Sequence, residues 1–131
     1  MPEFTFPKKE KLKSKKLIEQ LFAQGKSVSA FPIKLIYLPT EFTEDTRVKA
    51  GVAVPKKNFK SAVKRNRVKR LMRESYRLNK QYVFNNSEGS FAFLFLYLGR
   101  EMPSQSNVTK TMKEVMKRFL SKHTPENRQP E

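Results

Sequence analysis

Ala62-Val63-Lys64-Arg65-Asn66-Arg67-Val68-Lys69-Arg70-Leu71-Met72-Arg73-Glu74-Ser75-Tyr76-Arg77-Leu78-Asn79 is the most informative segment of the chain. Set on a helix at roughly 100° per residue, Val68, Leu71, Met72 and Tyr76 fall on one side and suit packing against a sheet. Asn66, Lys69, Arg70, Arg73 and Arg77 gather on the far side, and Arg65 and Arg67 flank the two edges of the apolar face. Ser61 is placed to cap this helix, which is predicted to reach about Asn79. Cations three and four apart repel by a few tenths of a kcal/mol per pair. A helix that needed only solubility would mix in glutamate, yet Glu74 is the only acid in residues 56–80. Arginine outnumbers lysine here, and its planar fork grips two phosphate oxygens or a phosphate and a base edge. The stripe therefore reads as a surface for an anionic partner rather than as an idle solvated face.

Outward from this helix the chain alternates apolar strands with polar connectors. Before it, Arg47 to Val54 alternates Val48, Val52 and Val54 against Lys49, Gly51 and Ala53, a strand ended by Pro55. Pro32 to Leu38 has apolar residues on both faces, as in a strand near a sheet centre. A polar, acidic connector (residues 39–46) separates the two, and Ser27-Val28-Ser29 is a weak further strand. Ser14 can cap a short helix to about Gln24, with Leu17, Ile18, Leu21 and Phe22 as its apolar stripe and Gly25 as its stop. After the long helix and a polar linker (residues 85–89), the apolar run over residues 91–98 suits a buried strand. A last helix starts at Ser104 or Ser106, with Val108, Met112, Val115, Met116 and Phe119 on one face. Residues 1–13 read as an extended basic arm, 14–123 as one folded domain and 124–131 as a frayed tail.

The 131 residues are enough to bury one core. With no cysteine there are no disulfides or thiolate sites, and the single histidine, His123, reads as an exposed bystander. Twenty-eight basic against 12 acidic residues give a net charge of +16, whose self-repulsion is relieved by a polyanion. Nucleic acid fits best. The longest apolar run is far short of the roughly 20 residues a membrane helix needs. The first residues carry no apolar signal core, so the cytoplasm is the expected compartment.

Gly51-Val52-Ala53-Val54-Pro55-Lys56-Lys57, followed by Ala62-Val63-Lys64-Arg65-Asn66-Arg67-Val68-Lys69-Arg70-Leu71-Met72-Arg73-Glu74, resembles the signature of the bacterial ribonuclease P protein subunit. That family is marked by an Arg-Asn-Arg triplet in a basic helix after a strand ending in a lysine pair. The resemblance extends over most of the chain. It implies one α+β domain of order αβββαβα, with a central sheet of about four strands and a left-handed βαβ crossover; handedness statistics alone favour the opposite hand. It also implies that the chemistry belongs to a catalytic RNA using Mg2+, which removes the 5′ leader of precursor tRNA. Carried over by position, Arg65, Asn66, Arg67, Lys69, Arg70 and Arg73 would contact the catalytic RNA. Ile18, Phe22, Tyr37, Lys56 and Lys57 would hold the single-stranded leader. Ile18 stands where the family usually has an aromatic, and an aliphatic side chain cannot stack on a base as a ring does. Taken without the resemblance, Ile18, Phe22 and Tyr37 read first as core.

Neither DNA nor a membrane is an expected partner. A structural RNA-binding protein such as a ribosomal component explains the charge equally well, but not the signature. A nuclease acting without RNA needs clustered carboxylates. Here Glu41, Glu44 and Asp45 share a turn and the other acids lie apart.

Overall fold

A computed structural model describes residues 10–42, 47–86 and 89–123. The chain runs α1 (Lys15–Gln24), β1 (Lys26–Ala30), β2 (Ile33–Pro39), β3 (Val48–Ala53), α2 (Ala62–Asn86), β4 (Phe91–Tyr97) and α3 (Gln105–His123). The four strands form one sheet in the order β1-β2-β4-β3. β4 pairs antiparallel with β2 and parallel with β3, to which α2 connects it. This is the α+β order expected from the sequence. The basic arm through residue 9, residues 43–46 of the acidic connector, residues 87–88 of the polar linker, the side chain of His123 and the tail from residue 124 lie outside the described residues.

β4 explains the layering. Phe91, Phe93, Phe95 and Tyr97 point to one face and join the core beneath α2 and α3. Ala92 and Leu94 point to the other face, with Leu96 half-buried, and meet Leu21 of α1. A strand apolar on both faces needs cover on both, which is why the run is continuous rather than alternating. The thicker layer is rich in aromatic rings. Phe119 of α3 stands edge-on to Tyr37 and Phe93 at 5.0 Å and to Phe91 at 5.1 Å. Edge-to-face pairs add to the burial gain. The α3 face read from the sequence (Val108, Met112, Val115, Met116, Phe119) is fully buried. Ser104 caps this helix by accepting from the Asn107 amide at 3.1 Å.

Two features differ from the sequence reading. First, α2 runs seven residues past Asn79 to Asn86. Val83 is buried, and the Arg47 guanidinium donates to the Phe84 carbonyl at 2.8 Å while lying over the Phe84 ring. A cation there satisfies a terminal carbonyl and complements the helix dipole. Second, the end of the N-terminal arm is docked. Leu12 is buried, its amide donates to Ala50 O at 2.9 Å, and Lys11 bridges Ala50 in parallel on the outer edge of β3. Glu10 reaches Lys80 at 2.6 Å, and Lys80 is buried. Gly25 ends α1 where the sequence places its stop, in an extended conformation (φ −70°, ψ 156°). Its glycine is required by proximity: a Cβ would sit 2.5 Å from Leu21 O and 2.7 Å from Ile36 Cγ2.

Gly25→Ala therefore overpacks the α1–sheet joint and is expected to cost about 1–3 kcal/mol. Urea unfolding checks this, as a lower midpoint at an unchanged slope. An unchanged midpoint would show that the joint yields freely.

Candidate nucleic-acid interface

The basic helix α2 starts at a true cap, with Ser61 Oγ accepting from the Lys64 amide at 3.3 Å. Its inner face holds Val68, Met72 and Tyr76 against the core, with Leu71 half-buried at the edge toward α3. Ser75 also turns inward and exchanges a 3.0 Å hydrogen bond with Thr109 of α3. These anchors fix the rotation of α2 about its own axis. Asn66, Arg67, Arg70 and Arg73 consequently stand exposed on the outer face, with Lys69 half-buried beside them.

Two arginines of the stretch are engaged within the protein. Arg65 donates through one Nη to the carbonyls of Phe59 (2.8 Å) and Lys60 (3.0 Å), bracing the loop before the helix. Arg77 is paired with Glu74, and this hydrogen bond holds the Glu74 carboxyl below the usual carboxylate range. The outward stripe is thus narrower than the wheel suggests, and Arg67, Arg70 and Arg73 are its exposed cations. Spaced three apart, they form a row on one helix face suited to successive phosphates.

A second surface lies on the opposite side of the sheet, where α1 is the only described helix. Leu21 is fully buried there and anchors α1, and Ile18 is half-buried against the same apolar cluster. Phe22 is 59% exposed, so its ring faces solvent beside the helix rather than the core. Lys56 and Lys57 are exposed in the turn after β3, which is closed by Asn58 N donating to Pro55 O at 3.1 Å.

Tyr37 does not belong to this surface. It is 1% exposed and packs edge-on to Phe91 and Phe119 on the α3 side, where burial pushes its hydroxyl pKa up. On β2 the neighbour Ile36 faces α1, because successive side chains alternate. The expectation that Tyr37 contacts a ligand beside Phe22 is therefore corrected. What sequence reading missed is a cross-strand row, Ser29–Lys34–Leu96–Ala53, on the same face as Ile36 and Leu94. The alternation of Lys34 with Leu35 in β2 is the signal that could have found it.

Among the described residues no three His, Asp or Glu side chains converge as a metal cage. No described helix is long and apolar enough to cross a membrane.

Comparison with known proteins agrees with this architecture. The ribonuclease P family model matches residues 6–120. The ribonuclease P protein component of Porphyromonas gingivalis is 34% identical, over 90% of this chain and 88% of its own. That of Chlorobaculum tepidum is 32% identical, over 94% of this chain and 88% of its own. Among solved structures, the RNase P protein of Staphylococcus aureus superposes with a TM-score of 0.69, at 18% identity over 84% of this chain and 94% of its own. That of Thermotoga maritima gives 0.67, at 21% identity over 83% and 96%. With the family model matched over residues 6–120, the chain belongs to the ribonuclease P protein family, the protein component of an endoribonuclease holoenzyme.

Proposed function

We propose that this chain is the RNA-binding subunit of a ribonuclease P ribonucleoprotein. Its partner is a catalytic RNA that removes the 5′ leader from precursor tRNA. The observation that carries the reading is the exposed row Arg67–Arg70–Arg73 on a helix whose other face is locked into the core. That row, with Asn66 and Lys69, docks on the RNA subunit. Asn66 offers both a donor and an acceptor to a base edge. Phe22, Ile18, Lys56 and Lys57 take the single-stranded leader on the sheet face: Phe22 stacks on a base, Ile18 supplies apolar contact and the lysines meet phosphates. Arg65 acts from beneath, by holding the loop that carries the chain from Lys57 to α2.

Hydrolysis in this scheme belongs to the RNA, with Mg2+ bound by its phosphates. The protein contributes positioning and charge neutralisation, which lower the magnesium needed for two polyanions to approach.

The purified protein alone is expected to leave precursor tRNA intact, and adding catalytic RNA at physiological magnesium restores cleavage at the mature 5′ end; a gel assay with RNA contamination excluded reads this directly. Arg70→Ala weakens RNA-subunit binding about tenfold, as for one charge-assisted contact, and flattens the salt dependence by about 0.7–0.9 in log–log slope. An unchanged slope would remove the row from the interface. Phe22→Ala costs about 1–3 kcal/mol with precursor and leaves mature tRNA binding unchanged. Equal losses on both would assign Phe22 to stability, which circular dichroism and urea unfolding would then report.

A further inference from the structure

β1 is the edge of the sheet, and an edge strand leaves alternate backbone groups unpaired. Here Arg118 of α3 donates to the Ser29 carbonyl on that edge. Between β1 and α3 lies an open groove of about 580 Å³. Lys117, Arg118 and Lys122 bring three cations to it, and Glu114, the one carboxylate among its described lining residues, is paired with Arg118 at 3.2 Å. Lys117 and Lys122 are exposed and have no carboxylate within 4.0 Å among the described residues. The hydroxyls of Ser27, Ser29 and Ser121 complete the lining. None of the described residues lining the groove is aromatic, and they offer charge and hydrogen bonds rather than a stacking platform. That chemistry suits phosphate oxygens.

The groove is continuous with the sheet face already described. Ala53, Leu96, Lys34 and Ser29 are in register across β3, β4, β2 and β1. The row begins at Ala53, just before the Lys56–Lys57 turn, and it ends at Ser29 on the groove's rim. Its chemistry changes along the way, from apolar positions suited to bases, through one lysine, to hydroxyls and a cation cluster. At about 4.8 Å between strands the crossing is about 14 Å, short for an extended single strand.

We propose that the β1–α3 groove is a distal phosphate subsite for the single-stranded leader after it has crossed the sheet, with Lys117 and Lys122 as its contacts. This rests on the leader-binding reading above. It differs from that reading in assigning leader affinity to a second helix, on the far edge of the sheet from the Lys56–Lys57 turn.

The test uses holoenzyme reconstituted with catalytic RNA and three precursors: no leader, a leader of about four nucleotides and one of about ten, bracketing typical single-strand site sizes. The wild-type chain is expected to gain affinity at each step. The double variant Lys117→Ala/Lys122→Ala keeps the first gain and loses the second. It binds the long-leader precursor about three- to tenfold more weakly, with a log–log salt slope lower by about 0.7 for each phosphate no longer neutralised. Lys117→Arg/Lys122→Arg restores the gain. No second gain in the wild type, or a second gain that survives the double alanine change, overturns the subsite while leaving the leader reading intact. A loss equal on all three precursors also overturns it and places these lysines on the tRNA body or the RNA subunit. No gain from any leader overturns both readings.

Discussion

The two-sided burial of β4 is the constraint on which the remainder of the molecule depends. Seven residues, Phe91 to Tyr97, lie between neighbours on both edges and apolar layers on both faces. Exposing either face would forfeit roughly 25 cal/mol for each Å² of apolar surface left in water. The large aromatics take the side where α2 and α3 are stacked, and alanine and leucine take the side covered by α1. This asymmetry of side-chain size sets the asymmetry of the layers. It places a long helix with a charged outer face on one side and a partly open sheet on the other.

The second constraint is charge. A chain of +16 must hold like charges close together, and among the described residues three carboxylates pair with cations. Glu74 takes Arg77, Glu114 takes Arg118 and Glu10 takes Lys80. The buried Glu10–Lys80 pair ties the docked N-terminal segment to α2 across the outer edge of β3. Exposed pairs of the other kind contribute little to stability. Arg67, Arg70 and Arg73 are left facing solvent, where their mutual repulsion lasts until a polyanion displaces it. The uncompensated charge is thus concentrated where the fold turns it outward.

The same economy governs the two sheet edges. β3 is covered by the strand-like segment at Lys11 and Leu12. β1 is guarded by cations from α3, of which Arg118 occupies one edge carbonyl. Charged guards of this kind keep an edge from pairing with another chain. They also leave cations at the rim of a face suited to single-stranded RNA.

Much of this could be read from residue order. Strand-like alternation, the two-faced apolar run over residues 91–98, the serine caps at Ser14 and Ser61 and the acid-poor basic stripe depend on local periodicity and backbone chemistry, which short segments carry by themselves. Periodicity gives a residue's angle about its own axis. It does not say what stands opposite that angle. Tyr37 and Ile36 are equally apolar neighbours, and only the packing of two helices on one side of the sheet and a ten-residue helix on the other decides that Tyr37 is sealed beneath α3 and Ile36 beneath α1. Phe22 follows the helical stripe of Leu21 but overhangs the covered area, so it remains exposed. Arg65, Arg77 and Lys80 carry the same charge as Arg70, yet carbonyls and carboxylates brought in by the fold engage them. Composition and order made this chain a cationic α+β domain; tertiary packing chose its free cations, because a charge stays outward only where the fold supplies no partner.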